Sequence, residues 1–188
     1  MNDQELIIAI TAGDQKAFRL LVDTYKKSVY NTVLGFLQNI ENAEEVTQDV
    51  FVKVYETIGS FKNESKLSTW IYRISVNQAL DFIRKTKRKK RFGIITYLFG
   101  NDNEVLHQPA NFEHPGIVLE NKEKAAILFS AVNSLPDKQK TAFLLQKIEQ
   151  CSQQKIAEIM QLNEGAVESL LSRAKTNLKK QLINYYSA

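Results

Sequence analysis

SQQKIAEIMQLNEGAVESLL, residues 152–171, reads as two short helices joined by a three-residue corner. Ser152 can cap the first helix through its hydroxyl, and Ile156, Ala157 and Met160 fall on its inner side. Gln161-Leu162-Asn163 makes the corner. Asn163 can cap a second helix whose Val167, Leu170 and Leu171 face inward. Small Ala157 permits close approach and Leu162 plugs the corner, which is helix-turn-helix spacing. The second helix would show Glu164, Glu168, Ser169, Ser172 and Arg173 to a DNA major groove, with Lys175, Lys179 and Lys180 further on for phosphates. A tri-helical packing unit that touches no DNA has similar spacing, and Gln161 stands where a glycine usually makes the turn cheap. The stretch therefore predicts helices and leaves both uses open.

Upstream of it, a helix is expected from about Glu120 to Asn133. Pro136 then sits at a first helical position before the apolar series Ala142, Phe143, Leu145 and Ile148. From Phe92 to about Asn121 no period survives, and Pro109, Pro115, Gly93, Gly100 and Gly116 mark a linker. Extended it would reach roughly 100 Å, and as a coil about 30 Å, enough to place two modules on sites a turn or more of DNA apart. His107 and His114 match no zinc spacing, so no metal is expected.

The first block is patterned as helices too. Leu6, Ile7 and Ile10 share a face, Gly13 offers a C-cap, and Asp14 caps a second helix with Phe18, Leu21, Val22 and Tyr25 inward. That helix can continue through Val29, Val33 and Leu37. Asn42 and Glu45 resemble a capping box opening a third helix, which carries a Val46, Val50, Val54 stripe with Phe51, Tyr55 and Ile58 beside it, and Gly59 ends it. Its other side groups Glu44, Glu45, Gln48 and Asp49 near the N-terminus. There they suit the helix dipole and also suit an acidic rim around a partner site. Glu45 and Asp49 lack a histidine, serine or glycine loop beside them, so acid/base catalysis is not expected.

A fourth helix starts at about Ser68, carries Trp70, Tyr72 and Phe82, and runs into Arg84–Arg91, where seven of eight residues are basic. Aromatic faces stack on bases and clustered cations hold phosphates, although such runs also end ordinary solvated helices. Trp70 reads equally as core, flanked by Ile71 and Ile74.

Composition agrees. With 44% apolar and 24% charged residues, 7 Gly and 3 Pro in 188, an all-β fold or long disorder is disfavoured. The +4 formal charge matters because it is clustered. Cys151 can form no internal disulfide, and no leader pattern or membrane-length apolar run is evident, so a soluble cytoplasmic chain is expected. The fold class expected is all-α: a domain over residues 1–91, a flexible linker over 92–121, and a helix-turn-helix domain over 122–188.

The order of these pieces resembles the extracytoplasmic-function (ECF) sigma factors of the bacterial sigma-70 family. Ala43-Glu44-Glu45-Val46-Thr47-Gln48-Asp49-Val50-Phe51 is similar to the family's core-polymerase-binding helix. Ser68-Thr69-Trp70-Ile71-Tyr72-Arg73-Ile74 is similar to its promoter-melting segment, and Asn77-Gln78-Ala79-Leu80-Asp81-Phe82-Ile83-Arg84-Lys85 to the segment that reads the minus-ten element. Leu135-Pro136, Ile156-Ala157-Glu158-Ile159 and Ala166-Val167-Glu168-Ser169 resemble the region that reads the minus-thirty-five element.

The resemblance implies a sigma factor that binds core RNA polymerase, recognises both promoter elements and assists melting. Glu44, Glu45, Gln48 and Asp49 would meet the polymerase. Lys62, Asn63 and Ser68, in the loop that captures a flipped base, would join Trp70, Tyr72, Asn77, Asp81, Arg84, Lys85, Lys87 and Arg88 on the minus-ten DNA. Glu164, Glu168, Ser169, Ser172, Arg173 and Lys175 would face the upstream element. No cofactor and no catalysis are implied, and an anti-sigma protein is an expected partner. Glu168 and Leu170 replace basic residues common among relatives, which weakens the expected upstream contact. Other readings are a helix-turn-helix regulator acting without polymerase, a nucleic-acid enzyme, and a membrane-surface protein held by the basic run.

Overall fold

The computed structural model describes residues 2–99 and 122–186. Their helices are α1 (Asp3–Thr11), α2 (Gln15–Leu37), α3 (Ile40–Thr57), α4 (Leu67–Phe99), α5 (Lys122–Ser134), α6 (Asp137–Lys147), α7 (Gln153–Met160) and α8 (Glu164–Tyr186), with a short 3-10 turn at Ile58–Ser60. No strand occurs among the described residues, and the all-α architecture of two helical domains holds.

Cap chemistry sets most boundaries. Asn2 and Glu5 form a reciprocal capping box on α1, and Gly13 follows its end at φ 88°, with Ala12 as the C-cap. Asp14 accepts from the N–H groups of Lys16 and Ala17 to start α2. The break between α2 and α3 comes earlier than the sequence suggests. Gln38 turns left-handed at φ 54°, and this places Asn39, not Asn42, in extended backbone where its side chain accepts from the Asn42 N–H at 2.8 Å. The Asn42–Glu45 capping box is thus corrected. Gly59 lies within the 3-10 turn after α3 has ended at Thr57. Pro136 is the N-cap of α6, one position outside the helix.

The fourth helix also outruns its expected end. α4 continues to Phe99, because no proline interrupts Phe92–Phe99 and helix can propagate from the basic run. Residues 92–99 are therefore helical and not linker. The remaining linker expectation, with His107, His114, Pro109 and Pro115, lies outside the described residues, as does Glu120.

The first buried cluster joins α1 to α4 through Leu6, Ile10, Leu21, Val29, Val33, Val46, Val50, Val54 and Ile71. The second gathers α5 to α8 around Ala142, Leu145, Ile156, Val167 and Leu171, and takes in Phe36, Val76 and Ala79 from the first block. Close approach at this junction uses Gly35: a Cβ there would lie 2.5 Å from the Ile148 methyl that occupies its place. Among the described residues no helix is long and apolar enough to cross a membrane.

Candidate nucleic-acid interface

The helix-turn-helix forms as spaced. Ser152 accepts from the Lys155 N–H at 3.2 Å, and Asn163 from the Ala166 N–H at 2.8 Å. Gln161 takes the left-handed corner at φ 55°, which costs a non-glycine residue about 1–2 kcal/mol. Helix-ending hydrogen bonds, Leu162 N–H to the Ala157 carbonyl at 3.0 Å among them, offset it. Ile156, Ala157 and Ile159 are the buried residues of α7, and Met160, expected inside, packs half-buried at the cluster's edge. Ile159 takes the inner position because the α7 packing face turns toward α4 as well as α8. On α8, Glu164, Glu168, Ser172, Arg173 and Lys175 are exposed, while Ser169 is half-buried.

On α4, Asn77, Asp81 and Arg84 are exposed together, as are Lys85, Lys87 and Arg88. Lys62 and Asn63 are exposed in the preceding loop, where Asn63 adopts φ 57°, and Ser68 is half-buried. Trp70 is half-buried with its ring 5.3 Å from Phe61 and packs on the first core. Tyr72 points toward the second block: its hydroxyl donates to Glu149 at 3.0 Å, and burial, then the Glu149 charge, pushes its pKa up. Burial likewise raises the Glu149 carboxyl above the usual carboxylate value, against hydrogen bonds from Tyr72 and Thr32. Burial raises the Cys151 thiol too, which is half-buried and free.

Arg84 bonds both Asp81 and Asp137 at 3.2 Å. With side chains 53% and 41% exposed, the Asp137 pair is worth only about 0–1 kcal/mol in screening solvent. Further contacts between the blocks come from Arg73, whose guanidinium donates to the carbonyls of Glu158 at 2.8 Å and Ile159 at 3.3 Å. Lys155 bonds Ser68 at 3.3 Å and also Thr69. No spacing rule in the sequence marks Arg73, Glu149 or Lys155, since their partners lie some 77 to 87 residues away.

The acidic face of α3 is built as expected, with Glu44, Glu45, Gln48 and Asp49 all exposed. Beside it lies a groove of about 900 Å³ between α2 and α3, lined by Phe18, Val22, Tyr30, Phe51, Val52 and Tyr55, with Glu44 and Gln48 among its lining. The Phe18 and Tyr55 rings meet edge-on at 4.9 Å, and Val52 and Tyr55 are 57% and 50% exposed, an apolar patch with a polar rim of the kind that marks partner sites. The sequence reading found the acidic half and missed the apolar half, whose signal was the surplus of apolar residues on α3. Among the described residues no group of three or more His, Cys, Asp or Glu could hold a metal ion.

Two helical units, one ending in a basic helix and one presenting a capped helix-turn-helix, define a DNA-binding factor of two modules. Residues 21–89 match Sigma-70 region 2, and residues 125–178 match Sigma-70, region 4. The chain is 31% identical over 184 residues to the ECF RNA polymerase sigma factor SigW of Bacillus subtilis, covering 97% of each. It is 30% identical over 181 residues to the RNA polymerase sigma-H factor of Pseudomonas aeruginosa, covering 96% of this chain and 94% of the other. In fold it is similar to CnrH in complex with the cytosolic domain of CnrY, with TM-score 0.67, 21% identity and 97% of each chain covered. It is similar too to the sigma factor RpoE in complex with the anti-sigma factor NepR from Bartonella quintana, with TM-score 0.62, 22% identity, and 89% and 97% covered. The chain belongs to the sigma-70 family, among its ECF members, and is an RNA polymerase sigma factor.

Proposed function

We propose that the two sides of the first block divide the work of initiation. The α2–α3 groove and Glu44, Glu45, Gln48 and Asp49 meet core polymerase. The exposed face of α4, Asn77, Asp81 and Arg84, reads the minus-ten strand, with Trp70 and Tyr72 assisting melting, Lys62, Asn63 and Ser68 beside an extruded base, and Lys85, Lys87 and Arg88 on phosphates. From α8, Glu164, Glu168, Ser169, Ser172, Arg173 and Lys175 face the upstream element. The domains are 1–91 and 122–188, with α4 projecting beyond the first. The factor acts in the cytoplasm, performs no catalysis of its own, and is held in check by an anti-sigma protein.

The observation that carries this reading is the pairing of an exposed carboxylate row with an apolar groove on the side of the first block away from α7. Glu45→Lys with Asp49→Lys in the full chain should abolish co-purification with core polymerase while far-UV helicity stays intact. Unchanged core binding in that double variant overturns the assignment.

A further inference from the structure

The second block closes over the side of α4 assigned to promoter DNA. Along one face of the helix, Ser68 and Thr69 take hydrogen bonds from Lys155, Tyr72 donates to Glu149, Arg73 donates to two carbonyls at the end of α7, and Arg84 reaches Asp137. The acceptors offered to Tyr72, Arg73 and Arg84 are carboxylates and the negative end of a helix, the same chemistry a phosphate would present. Between these contacts Val76 and Ala79 are 6% and 0% exposed within the second core. Asn77 faces a cleft of about 240 Å³ that Asp137, Gln161 and Leu162 also line, room for a handful of waters and not for a nucleic-acid strand. The carboxylate row of α3 stays exposed meanwhile.

We propose that the free chain is self-inhibited: its second block docks on α4 and must come off before α4 can take DNA, while the polymerase-facing groove stays open, so that polymerase binds first and DNA second. This rests on the assignment of α4 to DNA made above. The competing ligand is a single DNA strand, and the device is a contact within the chain, made by Arg73 and by Ile148 seated against Gly35.

Two variants of the full chain test it. Ile148→Ser leaves charge unchanged and unseats the loop from Gly35. Arg73→Ala removes a cation, so its direct effect on DNA binding is a loss, and a gain has to come from opening. Each is compared with the parent by solution X-ray scattering and by titration of a fluorescein-labelled 20-nucleotide single strand of random sequence at low salt. Both variants should expand. Both should bind the strand more tightly, by roughly ten-fold if about a tenth of the parent molecules are open, since apparent affinity scales with the competent fraction. Capture of core polymerase should match the parent. Expansion without tighter DNA binding, no expansion at all, or lost polymerase capture in both variants would overturn the proposal. The scattering and strand titration need no polymerase. Failure of the polymerase assignment would show separately, in the Glu45→Lys, Asp49→Lys capture.

Discussion

The first block draws its whole buried core from its own residues, Leu6 through Ile71, whereas the second block's core takes in Phe36, Val76 and Ala79 from its neighbour. Dependence therefore runs one way. The first block's packing is complete without the second, while part of what buries the second is a surface the first supplies. Two modules meant to sit on separate promoter elements are thus held together by apolar area. The ion pair between them, Arg84–Asp137, is too exposed to do it.

The sharpest way to break this asymmetry is to truncate one residue on each side of it. Phe36→Ala, at a residue 2% exposed, should cost about 3–5 kcal/mol and loosen α5–α8 although Phe36 lies on α2. Leu21→Ala, at a fully buried position, should cost about 2–5 kcal/mol and loosen the first block alone. Hydrogen exchange resolved by helix checks both, and protection loss confined to α1–α4 in Phe36→Ala would erase the distinction.

Recognition chemistry gives a smaller contrast. Glu168 is exposed on α8, where it can accept from a cytosine amino group and repels phosphates. Glu168→Lys should tighten binding to unrelated upstream sequences and blunt discrimination at one base pair by about 1–3 kcal/mol. On α4, by contrast, alanine at Lys87 and Lys89 should weaken all sequences alike and lower the salt slope by roughly one per lost contact. Identical behaviour of the two helices in a salt-dependent binding series would mean that neither reads bases.

The corner of the helix-turn-helix offers a test confined to the second block. Gln161→Gly should raise its stability by up to about 1–2 kcal/mol, the left-handed cost relieved, less the added freedom of the unfolded chain. Thermal unfolding followed by exchange in α7 and α8 measures it, and an unchanged first block is part of the expectation.

The smallest effect concerns pH at the junction. Glu149 is buried against Tyr72 from α4 and Thr32 from α2, with Cys151 in its own loop. Nearby Lys155 is held below the usual lysine value, mainly by burial. Because burial raises the Glu149 pKa, its contribution to docking is fully present below the ordinary carboxylate value and is lost as pH rises through its own higher one. Scattering at pH 5 and pH 8 should show the more compact chain at the lower pH, and Glu149→Gln should flatten the difference.

The helices were legible where local chemistry decides them. Asp14, Ser152 and Asn163 announce caps because a side-chain acceptor needs only the next turn's N–H, and Val46, Val50 and Val54 announce a core face through spacing alone. Asn39 and Asn42 could each cap α3, and the choice fell to Gln38, whose left-handed turn no residue preference signals. The site was half legible for the same reason. Carboxylates on α3 and cations on α4 stand in periodic rows, whereas Tyr72 meeting Glu149 depends on how two blocks pack, which no period records.

α4 is one uninterrupted rod of 33 residues, about 50 Å long at 1.5 Å per residue. From Ser68 to Arg88 it spans roughly 30 Å, close to the axial length of nine base pairs of duplex, so the helix serves as a measuring stick between the melting end and the phosphate-holding end. A single inserted residue would swing everything beyond it by about 100° and throw the cations off their strand. Such a stick tolerates exchange of one side chain for another far better than any change in its length.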